Sequence, residues 1–508
     1  MSAPTMSEVS LPSASTPPAG VRVAIIGSGF AGLAMAVRLK QSGEHDFVVL
    51  ERAADLGGTW RDNSYPGCAC DVPSNLYSFS FALNPYWSRA FSPQAEIHAY
   101  LRRTAQEFGL LPHIVFSAEV TQAHWVEADQ EWQVQTPRGT VRARVLVSAA
   151  GPLSDPAYPS IPGIETFEGT TFHSATWDHD HDLTGDRVAV VGTGASAVQF
   201  VPHVQRAAAQ VHLFQRTPPW ILPRPDRRIP AAQQRLYAAV PALQKAVRAG
   251  VYWRQEAMLP GLVHKPELMK GVEKLARAHL RWTVKDPVLR AKLTPDYKLG
   301  CKRILIANGF YPAVSQPNVE VVTDRITAIT PKGVTTADGR QREVDTIIFG
   351  TGFHVTDIAI ADRVRGRHGE TLAERWKGSP QAYLGTSVAG FPNLFLLVGP
   401  NTGPGHTSVI FFVESQVAYV LDALRAMDER GVISLDVRQD AQDAFNDEVQ
   451  ERMEGTVWTS GGCGSWYLDE NGRNTTLWPG FSFELRWRTR RIDLSRYEAR
   501  TAPVPVAA

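Results

Sequence analysis

An α/β fold organised around two strand–loop–helix units is predicted by three observations. Two glycine-rich loops, Gly27-Ser-Gly-Phe-Ala-Gly32 and Gly192-Thr-Gly-Ala-Ser-Ala197, each follow a short β-branched run and precede a helix-forming stretch. A charged residue, Glu51 or Arg216, stands 24 positions beyond the first glycine of each loop. After each unit an apolar segment returns and ends on glycine, Val145 to Gly151 and Thr346 to Gly352, so the chain visits each sheet more than once.

The elements follow in order. Val21 to Ile26 reads as a strand and Leu33 to Leu39 as a helix, so Gly27, Gly29 and Gly32 occupy the turn between them. Glycine is needed there because the turn is tight and a pyrophosphate must approach the backbone, where the helix N-terminus offers N–H donors. Phe47 to Leu50 is a strand ending at Glu51, whose carboxylate can accept hydrogen bonds from ribose hydroxyls, which suits FAD or NAD. Ala118 to Val126 and Glu131 to Gln135 alternate as strands. The second unit runs from Arg187 to Val191 through Gly192, Gly194 and Ser196 into a helix from Ala197 to Val204. Its strand Val211 to Gln215 ends at Arg216, a guanidinium suited to a 2′-phosphate, which favours NADPH over NADH.

Beyond it, Pro218, Pro219, Pro223, Pro225 and Pro230 form a stiff exit. Apolar residues then recur every three or four positions, placing a helical insertion over roughly residues 231 to 290. Strands resume at Val319 to Val322 and at Thr346, and Leu394 to Val398 leads into a glycine turn and a helix from about Ser408. Near the C-terminus Phe481, Phe483, Leu485 and Trp487 alternate with polar residues, which reads as a half-buried strand with an arginine-bearing outer face, and no nucleic-acid partner is inferred.

Composition narrows the class. The chain has 508 residues, 44% hydrophobic content and a net charge of +1, a balance that calls for neither nucleic acid nor an acidic membrane. The longest apolar runs are too short to span a bilayer. Residues 1–20, rich in Ser, Pro and Ala, read as a disordered tail without a secretory signal. Four cysteines, Cys68, Cys70, Cys301 and Cys463, show no disulfide pattern and no metal-ligand spacing, so a reducing cytoplasm is the expected compartment and no metal is expected.

Between the two loops lies Phe167-x-Gly169-x-x-x-His173-x-x-x-Trp177-Asp178, and this segment resembles the fingerprint of the flavin-dependent Baeyer–Villiger monooxygenases, class B flavoprotein monooxygenases. The resemblance implies two Rossmann-like dinucleotide-binding domains, the NADP domain inserted in the FAD domain, plus a helical insertion. It places the FAD domain at 21–152 and 383–508, the NADP domain at 153–223 and 301–382, and the insertion at 224–300. The implied activity uses FAD and NADPH to insert one atom of dioxygen beside a ketone carbonyl, through a C4a-peroxyflavin, giving an ester or lactone, with sulfide oxidation also within reach. Nitrogen- or sulfur-oxygenating relatives of the same fold and a non-catalytic NADP-binding redox sensor are the alternatives.

By the same resemblance Arg303 is the catalytic cation and Asp71 the acid that holds it. Gly58, Thr59, Trp60, Tyr77 and Val120 are expected on the flavin side, and Thr217 and Lys302 beside Arg216 at the 2′-phosphate. Gly461-Gly-Cys-Gly-Ser-Trp466 reads as a glycine hinge whose Trp466 closes over NADP, with Trp458 as competitor. The fingerprint itself lies in the connection between the nucleotide domains, where His173 and Trp177 are placed to couple NADP occupancy to domain orientation; ordinary core packing is the alternative.

Overall fold

The structure is a computed structural model and describes residues 16–501. Its larger sheet has the strand Gly20–Ile26 at the centre, parallel to Phe47–Leu50 on one side and to Gly139–Ser148 on the other. Ile114–Val115 extends the first side, while Glu131–Thr136 and Gln122–Val126 continue the second as an antiparallel meander. Leu394–Leu396 also pairs with Gly139–Ser148, bringing the C-terminal part of the chain back to the first domain. The second sheet is entirely parallel, in the order Val319–Val322, Gln210–Phe214, Arg187–Val191, Thr346–Phe349, Thr170–His173. Fully buried strands such as Phe47–Leu50 and Thr346–Phe349 are covered on both faces, as parallel sheets require.

Several expectations are corrected. Residues 1–15 of the expected tail lie outside the described residues, and 16–20 are ordered: Ala19 accepts a hydrogen bond from Arg142 and Gly20 opens the central strand. Val364–Arg365, expected in the NADP domain, pairs instead with Gln122–Val126, and Ile360, Leu372 and Trp376 pack into the core on the first sheet. The stretch read as a C-terminal strand is the helix Ser482–Arg488. Its buried residues Ser482, Leu485 and Thr489 follow helical spacing, and Glu484 in the first turn with Arg486 and Arg488 in the last suits the helix dipole.

The cysteine reading is also overturned. Cys301 and Cys463 form a disulfide across 162 residues, a separation that leaves no local signature in the sequence. Cys68 and Cys70 are buried free thiols, and burial pushes the Cys68 thiol up to about 12. Among the described residues no helix is long and apolar enough to cross a membrane.

Five helices, Ala231–Ala239, Pro241–Glu256, Leu259–Val263, Lys270–Thr283 and Pro287–Lys292, build the insertion. Its Arg248 donates to the carbonyls of Asn75, Leu76 and Ser78, and Gln244 to that of Asn84, so the insertion grips the loop that carries Tyr77. Glu256, at the end of Pro241–Glu256, is fully buried and accepts from Ser482 and from His406. These satisfied polar contacts offset the cost of burying the charge.

The first loop shows why glycine is obligatory. A Cβ on Gly32 would lie 1.9 Å from the Gly27 carbonyl oxygen, inside any van der Waals contact. Gly43, by contrast, has a positive φ of 89° and open space around it. Gly32→Ala is therefore expected to abolish the folded, flavin-retaining protein, whereas Gly43→Ala costs about 1 kcal/mol from backbone strain alone; thermal melts of the two variants distinguish these outcomes.

Candidate active site

Each loop presents a bare helix terminus. Gly29 caps the helix Phe30–Gln41 and Gly194 caps Ala195–Ala207, neither with a side-chain hydrogen bond, so the first-turn N–H groups remain available to an anion. Gly27 and Gly192 hold φ values of 95° and 107°, and a side chain at Gly192 would meet the Gly350 carbonyl at 2.4 Å. Gly58 packs its Cα against Gly29, so the first cradle is walled by backbone from two segments. Thr59 Oγ1 donates to the Leu153 carbonyl at 3.3 Å. This is the shape a pyrophosphate needs at both sites.

The strand-end charges differ in their surroundings. Glu51 is buried and already accepts four hydrogen bonds, from the Ser28 N–H and hydroxyl, the Ala53 N–H and Arg61. A ribose hydroxyl would take the place of one of these, the Ser28 hydroxyl being the free rotor. Arg216 is exposed and Lys302 half-buried; burial, then the nearby charge of Arg216, lowers the Lys302 pKa. Two cations close enough to repel one another, with Thr217 adjacent and its carbonyl tied to Thr193 Oγ1, fit a phosphate group.

Asp71 and Arg303 come together from segments 232 residues apart. Arg303 Nε donates to Asp71 Oδ2 at 2.7 Å and its terminal nitrogen to Oδ1 at 2.6 Å, a bidentate pair. Both are held at the backbone: Cys70 donates to Ser92, and Leu305 and Ala307 donate to Trp220 and Leu222 in a short parallel ladder. The side chains stay 33% and 24% exposed, which leaves the pair open to a ligand. The Asp71 charge holds Arg303 further above its ordinary value, while burial works against ionisation of Asp71 and the Arg303 charge outweighs it, keeping the carboxyl low.

Trp60 and Tyr77 line the same side. The Trp60 indole donates to the Tyr77 hydroxyl at 2.9 Å, the rings meet edge-on, and burial raises the phenol. Val120 is buried, with its carbonyl accepting from Arg363.

The fingerprint is not a free connection: Thr170–His173 forms the edge strand of the second sheet, paired with Thr346–Phe349. Gly169 is required because a Cβ would strike the Asp345 carbonyl and the Phe167 ring. Asp178 accepts from the N–H groups of Asp180 and His181, fixing the turn that follows. Trp177 packs on Phe200, Phe200 meets Tyr65 edge-on, and the Tyr65 hydroxyl donates to Gln199. Gln199 also exchanges two hydrogen bonds with the Ala69 backbone, two residues from Asp71. The fingerprint tryptophan thus braces the helix behind the second loop, which in turn grips the loop carrying Asp71.

The expected hinge is corrected at its root. Cys463 is bonded to Cys301, next to Lys302 and Arg303, and the Gly461 carbonyl accepts from Lys298, so the root is pinned. Trp458 is buried over Gly405, whereas Trp466 is 45% exposed, leaving Trp466 as the accessible aromatic. Two site residues escaped the sequence reading. Tyr467 is buried, its phenol pushed up to about 12 by burial, with the charges of Arg303 and Asp71 acting on it. Arg224 donates to the Cys70 carbonyl and lies over Phe91. Neither sits in a periodic segment, so only a family alignment could have flagged them.

Fold and loops place the chain among two-nucleotide oxidoreductases: the pyridine nucleotide-disulphide oxidoreductase family matches residues 24–249. A Baeyer-Villiger monooxygenase of Streptomyces coelicolor is 53% identical over 491 residues, covering 96% of this chain and 94% of that protein. Another from Pseudomonas aeruginosa is 49% identical over 485 residues, covering 95% and 92%. Among solved structures, OTEMO in complex with FAD and NADP superposes with a TM-score of 0.86 at 29% identity, over 95% of this chain and 100% of the other. The chain belongs to the Baeyer–Villiger monooxygenase family.

His173 supplies a pH test. Burial pushes its imidazole down to about 4 from an ordinary 6.5, so the ring is neutral in the fold. The unfolded chain binds a proton between those values that the native state refuses, so this group makes stability rise with pH across that window and fall as the medium is acidified. His173→Gln is expected to flatten the loss of Tm between pH 6.5 and 4 while leaving it unaltered in slope above pH 7, measured by melts across pH.

Proposed function

We propose that this protein oxidises a ketone to an ester or lactone, with Arg303 as the catalytic cation and Asp71 as the residue that positions it. Membership of the family makes it an NADPH-dependent flavin monooxygenase acting on a small molecule with dioxygen. The observation that carries the reading is the bidentate Asp71–Arg303 pair, whose side chains stay partly exposed.

When bound, FAD reduced by NADPH supplies activated dioxygen. The first loop, with Gly27, Gly29, Gly32 and Glu51, would hold the FAD pyrophosphate and ribose, and Gly192, Gly194 and Ser196 with Arg216, Thr217 and Lys302 would hold NADPH. Arg303 remains protonated at any working pH and presents donors to the negative charge that develops on the substrate's carbonyl oxygen. Asp71 orients that guanidinium and, being ionised, offsets its desolvation. Trp60, Tyr77 and Tyr467 would exclude water from that side, and the exposed Trp466 would cover the bound nucleotide. Trp177 keeps the second loop in register with the Asp71 loop.

Arg303→Ala is expected to retain NADPH oxidation while ester formation falls by about 100-fold or more, followed by product analysis alongside NADPH consumption; a variant making ester at the normal rate refutes the role. Arg216→Ala should raise the KM for NADPH by roughly tenfold and leave that for NADH nearly unchanged, because only the former carries the phosphate.

A further inference from the structure

The whole-chain charge of +1 conceals a segregation. Residues 224–300 carry 16 lysines and arginines against six aspartates and glutamates, a net +10, so the remainder of the chain carries −9. The same insertion holds eight of the thirteen exposed large apolar side chains among the described residues. Cationic and apolar exposure in one small unit is what a binding face requires.

The helix Lys270–Thr283 arranges the two kinds of residue in order. Its inner side buries Ala276 and Leu280 and lies beside Trp220, whose ring is 4.9 Å from the Arg277 guanidinium. On the outer side Leu275 and Trp282 are two turns apart, and Leu268 lies in the short turn that leads into the helix; they are 48%, 68% and 61% exposed. Lys270, Lys274, Arg277 and Arg281 follow one another at spacings of three or four, which places them on a second stripe, and Lys285 lies just past the helix end. Gly271 and Ala278 fall between the two. Lys270 pairs with Glu267 and Arg277 with Glu273, whereas Lys274, Arg281 and Lys285 form no ion pair among the described residues.

We propose that this outer face docks on an anionic lipid surface. An apolar stripe beside a cationic stripe on one helix lets Leu and Trp enter the headgroup–acyl boundary while the long Lys and Arg stems reach lipid phosphates. A nucleic-acid backbone would use the cations but leave the leucines stranded. The strand behind the helix, Ile221–Leu222, pairs with Leu305–Ile306 just beyond Arg303, so a docked bilayer would lie one helix layer from the catalytic pair. That gives a lipid-dissolved substrate a short route, although the docking itself does not depend on which substrate is used.

The test uses the full-length, FAD-loaded protein and co-sedimentation with vesicles of phosphatidylcholine alone or with about one third phosphatidylglycerol. The protein is expected to associate with the anionic vesicles, less as salt rises, and negligibly with the neutral ones. Each surface cation contributes about a fivefold change in partitioning, so K274Q/R281Q/K285Q should lower it by about 100-fold. L275S/W282S should lower it by at least about tenfold. Both variants keep wild-type NADPH oxidation in free solution, which shows that they fold. Absence of binding to anionic vesicles, equal binding to both compositions, or unaltered binding by the variants overturns the proposal. So does concentration-dependent dimerisation lost in L275S/W282S without vesicle binding, which would assign the face to a second copy, or retention on duplex DNA without vesicle binding.

Discussion

The bidentate contact between Asp71 and Arg303 is the constraint on which the rest of the site depends. For the role proposed for it, the guanidinium must be held at a definite angle and still be reachable, and its partner must stay ionised although partly buried. The architecture meets these demands from both sides. The Asp71 segment is clamped by Ser92 and by Gln199 of the second nucleotide unit, and the Arg303 segment is laid along a strand pair and bonded covalently through its neighbour Cys301. Neither anchor lies in the same sheet as the other, so the pair also reports how the two nucleotide units sit against one another.

Much of this was legible in the sequence wherever the constraint is local. Gly32 is forced by the Gly27 carbonyl within its own loop, and such a contact leaves a fixed spacing, whereas Gly27 and Gly192 are crowded by the carbonyls of Ala149 and Gly350 from distant segments. The Asp71–Arg303 pair was reachable only through resemblance, since nothing in either segment alone specifies the other. What escaped depends on distant partners. Trp177 can be read as diagnostic, but its physical role rests on Phe200 and Tyr65, which no periodicity links to it. Tyr467 and Arg224 lie in irregular chain. The Ser482–Arg488 helix was misread because seven residues alternating in polarity satisfy a strand as well as a helix, and burial of Ser482 against Glu256 decides the matter.

Net charge was the other misleading summary. A value near zero arises here from a strongly cationic insertion and an anionic remainder, and averaging them hides the unit most exposed to long-range fields. The insertion is nevertheless firmly seated, with Arg248, Gln244 and Glu256 each satisfied by first-domain groups. Its outer surface is thereby free to carry residues that serve no packing purpose.

The bond between Cys301 and Cys463, 162 positions apart, closes the intervening chain into a covalent ring that contains the last two strands of the second sheet and the return to the first. Closing a ring of that size removes about 5 kcal/mol of chain entropy from the unfolded ensemble in the simplest treatment. The bond lies two residues before Arg303 at one end and three before Trp466 at the other, so the segments that carry these two side chains cannot drift apart independently.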